Sequence, residues 1–372
     1  MKHLTPLLDM FWRGYSRLRK RSGKASGLLL LSAGGLGDTV LFAHLIERFR
    51  QMAKPGEEVT LLLRSDAVKM GFLFPKDIKT KTVDFGKLRK SQTYRRKMFN
   101  ELYVAHYRLA ISTDYLRHPL LDEALIAACE AEEALAMEPR PWPKHDRRLR
   151  INRVLYTKLF ESGPALRDKV LRWTSFADWL TGSEEKPPVL GLAAHLLPER
   201  QKLEKPLIMI QPFSAVSLKQ VPPEFLCGLI EALPPGSDIA ILGAPNDLDR
   251  NPAYRVLLDK PSVRFDTSLF KDLLPFLRSA SLVISVDTAL MHLAVAAGAP
   301  TLCLASAAYV GEIVPYAPEI TPENVRFLYH PVPCQGCLGD CRLPEENAMY
   351  PCLARVSLAE AIAAARKLLG EG

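Results

Sequence analysis

The chain has 372 residues, 48% of them hydrophobic, with 49 Lys and Arg against 41 Asp and Glu and seven cysteines. That is enough chain for two ordinary domains, each burying its own core. No run approaches the roughly 20 apolar residues of a membrane span. The opening MKHLTPLLDMFWRGYSRLRKRSGK lacks the long apolar core and small-residue cleavage site of a signal peptide, which predicts a cytoplasmic protein.

Charge divides the chain. Residues 1–185 carry a net +11 and residues 186–372 a net −3. A basic half suggests an anionic partner, although each basic cluster (Arg13–Lys24, Lys87–Lys97, Arg140–Arg153) taken singly reads as a solvated face or loop. Residues 1–26 form a basic arm with seven cations and one acid, interleaved with Leu7, Leu8, Met10, Phe11, Trp12, Tyr15 and Leu18. This pattern fits a short amphipathic helix on an anionic membrane surface. It fits a frayed arm as well.

The next segment, residues 27–185, alternates in the α/β manner. Gly27–Leu31 predicts a strand, Thr39–Gln51 a helix, Glu58–Leu63 and Arg108–Ser112 strands, and Ala-rich Leu120–Ala136 a helix. Residues 138–150 read as a basic, Pro-broken loop. Residues 186–206, in a Pro-rich stretch of mixed charge, read as a linker. In residues 207–356 a second series follows. Leu207–Gln211 predicts a strand, Pro223–Ala232 a helix, Ile239–Leu242 a strand and Leu269–Ser279 a helix. Then come the buried strand Leu282–Val286, the helix Ala289–Ala297 stopped by Gly298 and Pro300, and the strand Thr301–Ala305. A C-terminal helix occupies residues 357–372. The alternation predicts two Rossmann-like domains facing a central cleft.

Ligands in such folds sit at the carboxyl ends of strands, and helix amino termini attract phosphate. Three places there carry chemistry. The first strand runs into Gly34, Gly35, Gly37 and Asp38. Glycines permit a tight turn and close approach, but the dinucleotide fingerprint spacing is absent. Asp38 reads either as an N-cap or as a general base. Further along, Gln211–Lys219 is a strand end with Ser214, Ser217 and Lys219, suited to a diphosphate or else a plain surface loop. Gly243 and Asp247 end another strand, where the acid fits ribose hydroxyls or turn chemistry. Last, Asp287, Thr288 and Ala289 join a strand to a helix that holds His292. That histidine reads as core or as ligand-facing. Cys334, Cys337, Cys341 and Cys352 cluster in residues 334–352. Their spacing suits a structural four-thiolate metal, zinc by default or iron, with free thiols as the competing reading. A closed set of that kind leaves no position for substrate, so no catalytic metal is expected.

Together these landmarks resemble glycosyltransferase family 9, the heptosyltransferases of lipopolysaccharide core assembly. The segments carrying the resemblance are LSAGGLGDTVLF, QPFSAVSLKQVPPEFLCGLI, LGAPNDLD, SVDTALMHLAVAAGAP and VPYAP, followed by the cysteines. The match is thin between residues 65 and 185. Two positions depart from the family pattern: Val221 replaces the usual Trp and Ala289 the usual Gly. The resemblance implies the GT-B fold, with the acceptor on the first domain and the nucleotide sugar on the second. It implies metal-independent, inverting transfer from ADP-heptose. Asp38 then matches the general base, Lys219 with Ser214 and Ser217 the diphosphate ligands, and Thr288 a phosphate ligand. Asp287 and His292 match the D-T-x-x-x-H motif, and Asp247 lies near the ribose. The acceptor would be an anionic lipopolysaccharide core or related glycan, met at the inner face of the inner membrane, with no nucleic-acid partner. Three alternatives stay open at this point. They are another nucleotide sugar or a protein acceptor, a sugar-nucleotide epimerase, and a non-catalytic anion-binding protein.

Overall fold

The computed structural model describes residues 5–371. By contact density the chain divides into two units, one of residues up to 165 with 170–186 and one of 166–169 with the residues from 187 onward.

Unit 1 is built on six parallel strands: β1 Leu28–Ser32, β2 Val59–Arg64, β3 Lys79–Val83, β4 Leu109–Ser112, β5 Glu133–Met137 and β6 Lys158–Phe160. Their order is β3-β2-β1-β4-β5-β6. Unit 2 repeats the plan with β7 Leu207–Gln211, β8 Asp238–Leu242, β9 Val263–Asp266, β10 Leu282–Val286, β11 Thr301–Leu304 and β12 Val325–Leu328, ordered β12-β11-β10-β7-β8-β9. Both are the doubly wound order. In it, chain direction across the sheet reverses between the first and fourth strands, and a crevice opens outside their carboxyl ends. Here those strands are β1 beside β4 and β7 beside β10.

The central strands are continuous apolar runs because helices cover both faces of a parallel sheet. All five residues of β1, LLLLS, and of β10, LVISV, are buried. In unit 1 Leu29 and Leu31 pack with Phe99, Leu102 and Leu125, while Phe42 meets Phe49 and Trp173 with ring centroids 5.1 and 5.3 Å apart. In unit 2 Ile208, Ile210, Ile284 and Leu302 pack with Leu226, Leu229 and Ala361. Each fully buried side chain of this size contributes about 1.5–3 kcal/mol.

Several sequence expectations need correction. Leu120–Ala136 is not one helix: Asp122–Cys129 is helical, Glu130 turns left-handed at φ 43°, and Glu133–Met137 forms β5. Alanines make poor strands, but pairing on both sides by β4 and β6 overrides propensity here. Thr39–Gln51 is two helices, Leu36–Ala43 and Ile46–Arg50. Part of the expected loop 138–150 is taken up by the helix Asp146–Asn152. Within the basic arm, Thr5–Arg17 is a helix that packs on Gln92–Ala105 and is not frayed; residues 1–4 lie outside the described residues. Among the described residues no helix is long and apolar enough to cross a membrane.

Candidate functional site

The turn after β1 places the first set of expected residues. Gly35 is the N-cap of helix Leu36–Ala43, and Asp38, at the third helical position, reaches back so that its Oδ2 accepts the Gly35 N–H at 2.7 Å. This is the carboxylate half of a capping box. It anchors the side chain whose position matters most for the expected chemistry. A Cβ on Gly34 would lie 2.5 Å from the Asp38 Cβ, so only glycine lets the carboxylate sit there. Gly37 falls inside the first helical turn. Sequence reasoning missed the residue that fixes the other end of the turn. Asp114, nearly buried, follows β4 and accepts the Ala33 N–H on Oδ2 at 2.5 Å.

Behind Asp114 lies a buried polar group that the sequence did not single out. The Arg117 guanidinium, fully buried, donates to Glu123 at 3.3 Å and to the Asp114 carbonyl at 3.0 Å. Asp122 accepts the His118 N–H at 2.8 Å. Burial pushes the Asp122 carboxyl up to about 7, and burial with the neighbouring His145 lowers His118 to about 4. Both groups are thereby held toward their neutral forms.

Unit 2 assembles the second set at the ends of β7 and β10. Lys219 sits in the single turn Ser217–Lys219 after β7, and Asp287 immediately follows β10. Because these strands are neighbours, the two side chains meet: Lys219 Nζ is 2.7 Å from Asp287 Oδ2, with only 11% and 8% of the side chains exposed. The ammonium also lies 4.3 Å from the centroid of the Tyr309 ring, a cation–π contact. Such a pair stays put, since separating it would leave a nearly buried charge alone. Thr288 is the N-cap of helix Ala289–Ala296, yet its hydroxyl makes no capping bond and stands 3.4 Å from the Ser285 Oγ. Ala289 opens that helix.

His292, one turn further, is 4% exposed, and its Nδ1 lies 2.6 Å from the Tyr316 hydroxyl. Burial holds the Tyr316 phenol well above its usual range, so it stays protonated. Tyr316 belongs to the VPYAP segment, which gave no signal that its hydroxyl would meet a histidine.

The remaining expected residues have local structural work. Ser214 Oγ accepts the Val216 N–H at 3.2 Å, while Gln220 and Gln211 bind the carbonyls of Ser214 and Phe213. Ser217 is exposed at the head of the Lys219 turn. Asp247 accepts the Ala244 N–H at 2.7 Å, which is turn chemistry. Gly243 leaves room for aromatic rings, because a Cβ there would stand 2.9 Å from both Phe213 and Phe265. Val221 is buried beside Tyr254, whose hydroxyl donates to the Val221 carbonyl at 2.6 Å.

The cysteine segment folds against the same wall. Gly336 and Leu338 donate N–H groups to Ala307 and Ala308, Tyr350 donates to Leu218, and Cys352 Sγ accepts the Ala307 N–H at 3.1 Å. Cys334, Cys341 and Cys352 share one apolar cluster with Leu218 and Tyr350. Burial, with Cys341 and Cys337 nearby, raises the Cys334 thiol, and burial raises Cys352. The donor set is chemically right for a soft metal and gathers in one place. Even so, among the described residues no group of three or more His, Cys, Asp or Glu side chains stands in metal-holding geometry.

No curated protein sequence matches the chain. Solved structures similar to it include a glycosyl transferase family 9 protein from Veillonella parvula, with 16% identity, a TM-score of 0.68, and 95% of this chain and 100% of that one covered. Another is the E. coli ADP-heptose lps heptosyltransferase II, at 12% identity and TM-score 0.60, covering 93% and 99%. A third is the iron-containing dodecameric glycosyltransferase TibC from enterotoxigenic E. coli, at 14% and 0.53, covering 94% and 77%. At these identities the likeness is one of fold, the GT-B fold of two Rossmann-like units. Residues 160–335 match the family model "Glycosyltransferase family 9 (heptosyltransferase)". That segment spans the Lys219 turn, the Asp287 turn and His292, and over it the chain is similar to glycosyltransferase family 9.

Proposed function

We propose that the protein is an inverting glycosyltransferase that moves a heptose from ADP-heptose to an anionic lipopolysaccharide core or related acceptor. The observation that carries this is the nearly buried Lys219–Asp287 pair at the switch point of the second sheet, beside the Thr288 helix terminus. An ammonium and a helix amino terminus together suit a leaving diphosphate. One Lys219 proton is held by Asp287, which orients the group and leaves two donors for phosphate oxygens.

In this reading Asp38 takes the proton from the acceptor hydroxyl as that oxygen attacks the anomeric carbon. The bond from that carbon to the diphosphate oxygen breaks, and ADP departs with the electron pair. Charge builds on the diphosphate as the bond breaks, and Lys219, Thr288 and the backbone N–H groups at the head of the helix stabilise it. The Ser214 and Ser217 loop would add hydroxyl donors, Asp287 would hold donor hydroxyls, and Asp247 would approach the ribose. His292, locked by Tyr316, would support the helix that carries Thr288.

No metal takes part in the transfer. We assign Cys334, Cys337, Cys341 and Cys352 to a structural metal, iron or zinc, that would stiffen the wall behind Tyr309; TibC, of like fold, is described as iron-containing. Elemental analysis of the purified chain tests this assignment. We place the protein in the cytoplasm, in peripheral contact with the inner face of the inner membrane, with no nucleic-acid partner.

A donor screen tests the reading. ADP-heptose should release ADP only with acceptor present, and UDP- and GDP-sugars should not turn over. Donor turnover without acceptor would indicate an epimerase or hydrolase instead.

A further inference from the structure

We propose that the helix Thr5–Arg17, with Leu18 beyond it, is a docking face for a bilayer containing anionic phospholipid. This deepens the peripheral placement above by naming the surface, and it needs neither the donor nor the acceptor to be as proposed.

The helix sits on its unit in the reverse of the usual sense. An amphipathic helix ordinarily turns its apolar stripe inward. Here the inward side is polar and aromatic. Asp9 pairs with Arg95, which is 1% exposed, and Ser16 Oγ bonds to Asn100 at 2.6 Å. Trp12 Nε1 donates to Gln92 at 3.0 Å, and Arg13 and Arg17 both reach Glu130. These contacts fix the rotation of the helix. Rolling it would strand a buried guanidinium. The outward side is therefore Leu7, Met10, Phe11 and Leu18, which are 61%, 68%, 61% and 82% exposed. Residues 7, 10, 11 and 18 recur at helical spacing and make one stripe. Single exposed apolar residues are ordinary, whereas a contiguous stripe marks an interaction surface.

Charge beside the stripe selects the occupant. Arg19 and Arg96 stack near the Tyr15 ring, at 5.9 and 5.8 Å, and Lys20 is exposed. A cavity of about 810 Å³ opens next to Tyr15, where Arg19, Lys79, Lys81, Arg96 and Lys97 outnumber Glu58 and Glu101. Apolar side chains flanked by cations match acyl chains beneath phosphate headgroups. A second copy of the chain fits worse, because two-fold pairing would set these cations against one another.

The test is co-sedimentation of the full chain with vesicles of phosphatidylcholine alone or mixed with phosphatidylglycerol. Binding should need phosphatidylglycerol and fall with salt. The double variant Met10→Ser with Phe11→Ser should weaken binding by about tenfold or more. Arg19→Glu with Lys20→Glu should do likewise, both at unchanged melting temperature. Val154→Ser, which alters an apolar residue 87% exposed elsewhere, should change nothing. Equal sedimentation with both vesicle types, or unchanged binding in the Met10/Phe11 variant, overturns the proposal. So does a Met10/Phe11 variant that loses self-association but keeps vesicle binding. A chain that binds vesicles yet turns over no sugar nucleotide keeps this face and removes the transferase reading.

Discussion

The two units share one strand order and end at equivalent switch points, yet the carboxylates there do different work. Asp114, after β4, is spent on a backbone N–H and stiffens a glycine turn; Asp287, after β10, is spent on an ammonium. The first sheet thus presents an acid, Asp38, on a rigid turn, and the second presents a held cation beside a helix terminus. In the proposed reading one scaffold is furnished for proton removal in one unit and for anion stabilisation in the other. Function lies in what the loops carry, as expected for folds of this class.

Substitutions at the two switch points should separate these roles. Asp38→Asn keeps an acceptor for the Gly35 N–H, so folding should survive while kcat falls about 10²–10⁴-fold, with ADP affinity unchanged by calorimetry. Matching losses of both would deny the division of labour. Lys219→Ala should do the opposite in part: ADP binding weakens sharply, and unfolding free energy drops by about 3–5 kcal/mol because Asp287 is left nearly buried and alone. Adding Asp287→Asn should recover much of that stability but not the ADP affinity. Gly34→Ala pushes the Asp38 side chain aside, so activity should drop at intact ADP binding, with a smaller stability cost of about 1–3 kcal/mol by denaturant titration.

A further effect is in pH. Burial raises Asp122 to about 7 in the folded protein, so between about pH 4 and 7 the folded state binds a proton that the unfolded state has lost. Its contribution to stability is therefore present at low pH and fades as pH rises toward 7. Lowered His118 acts the other way, gaining stability as pH rises through about 4 to 6.5. Asp122→Asn should therefore gain on the wild type as pH increases across that window, in urea titrations. A constant difference would show that Asp122 is ionised throughout.

Much of this was legible in the sequence, and what was missed has a common cause. The inner strands β1, β2, β4, β7, β8, β10 and β11 declare themselves as apolar runs, because both faces are covered. The four edge strands β3, β6, β9 and β12 went unread: KTKTV, KLF, VRFD and VRFL are short and partly solvated, so they carry little periodic signal. Among inner strands only β5 was mistaken, since Glu133–Met137 is alanine-rich and owes its form to its neighbours. In the candidate site, Asp38, Lys219, Asp287 and Thr288 were proposed from local pattern. Asp114, Tyr309 and Tyr316 could not be, because their partners lie 81, 90 and 24 positions away in the sequence. Gly243 shows the converse, a glycine at a strand end whose room is taken by two aromatic rings.

The most direct measurement is acceptor-dependent ADP release from ADP-heptose, made on the wild type and on Asp38→Asn side by side. The account predicts release only when acceptor and Asp38 are both present, with ADP bound equally well by both proteins. Release without acceptor, or undiminished release by Asp38→Asn, would contradict it.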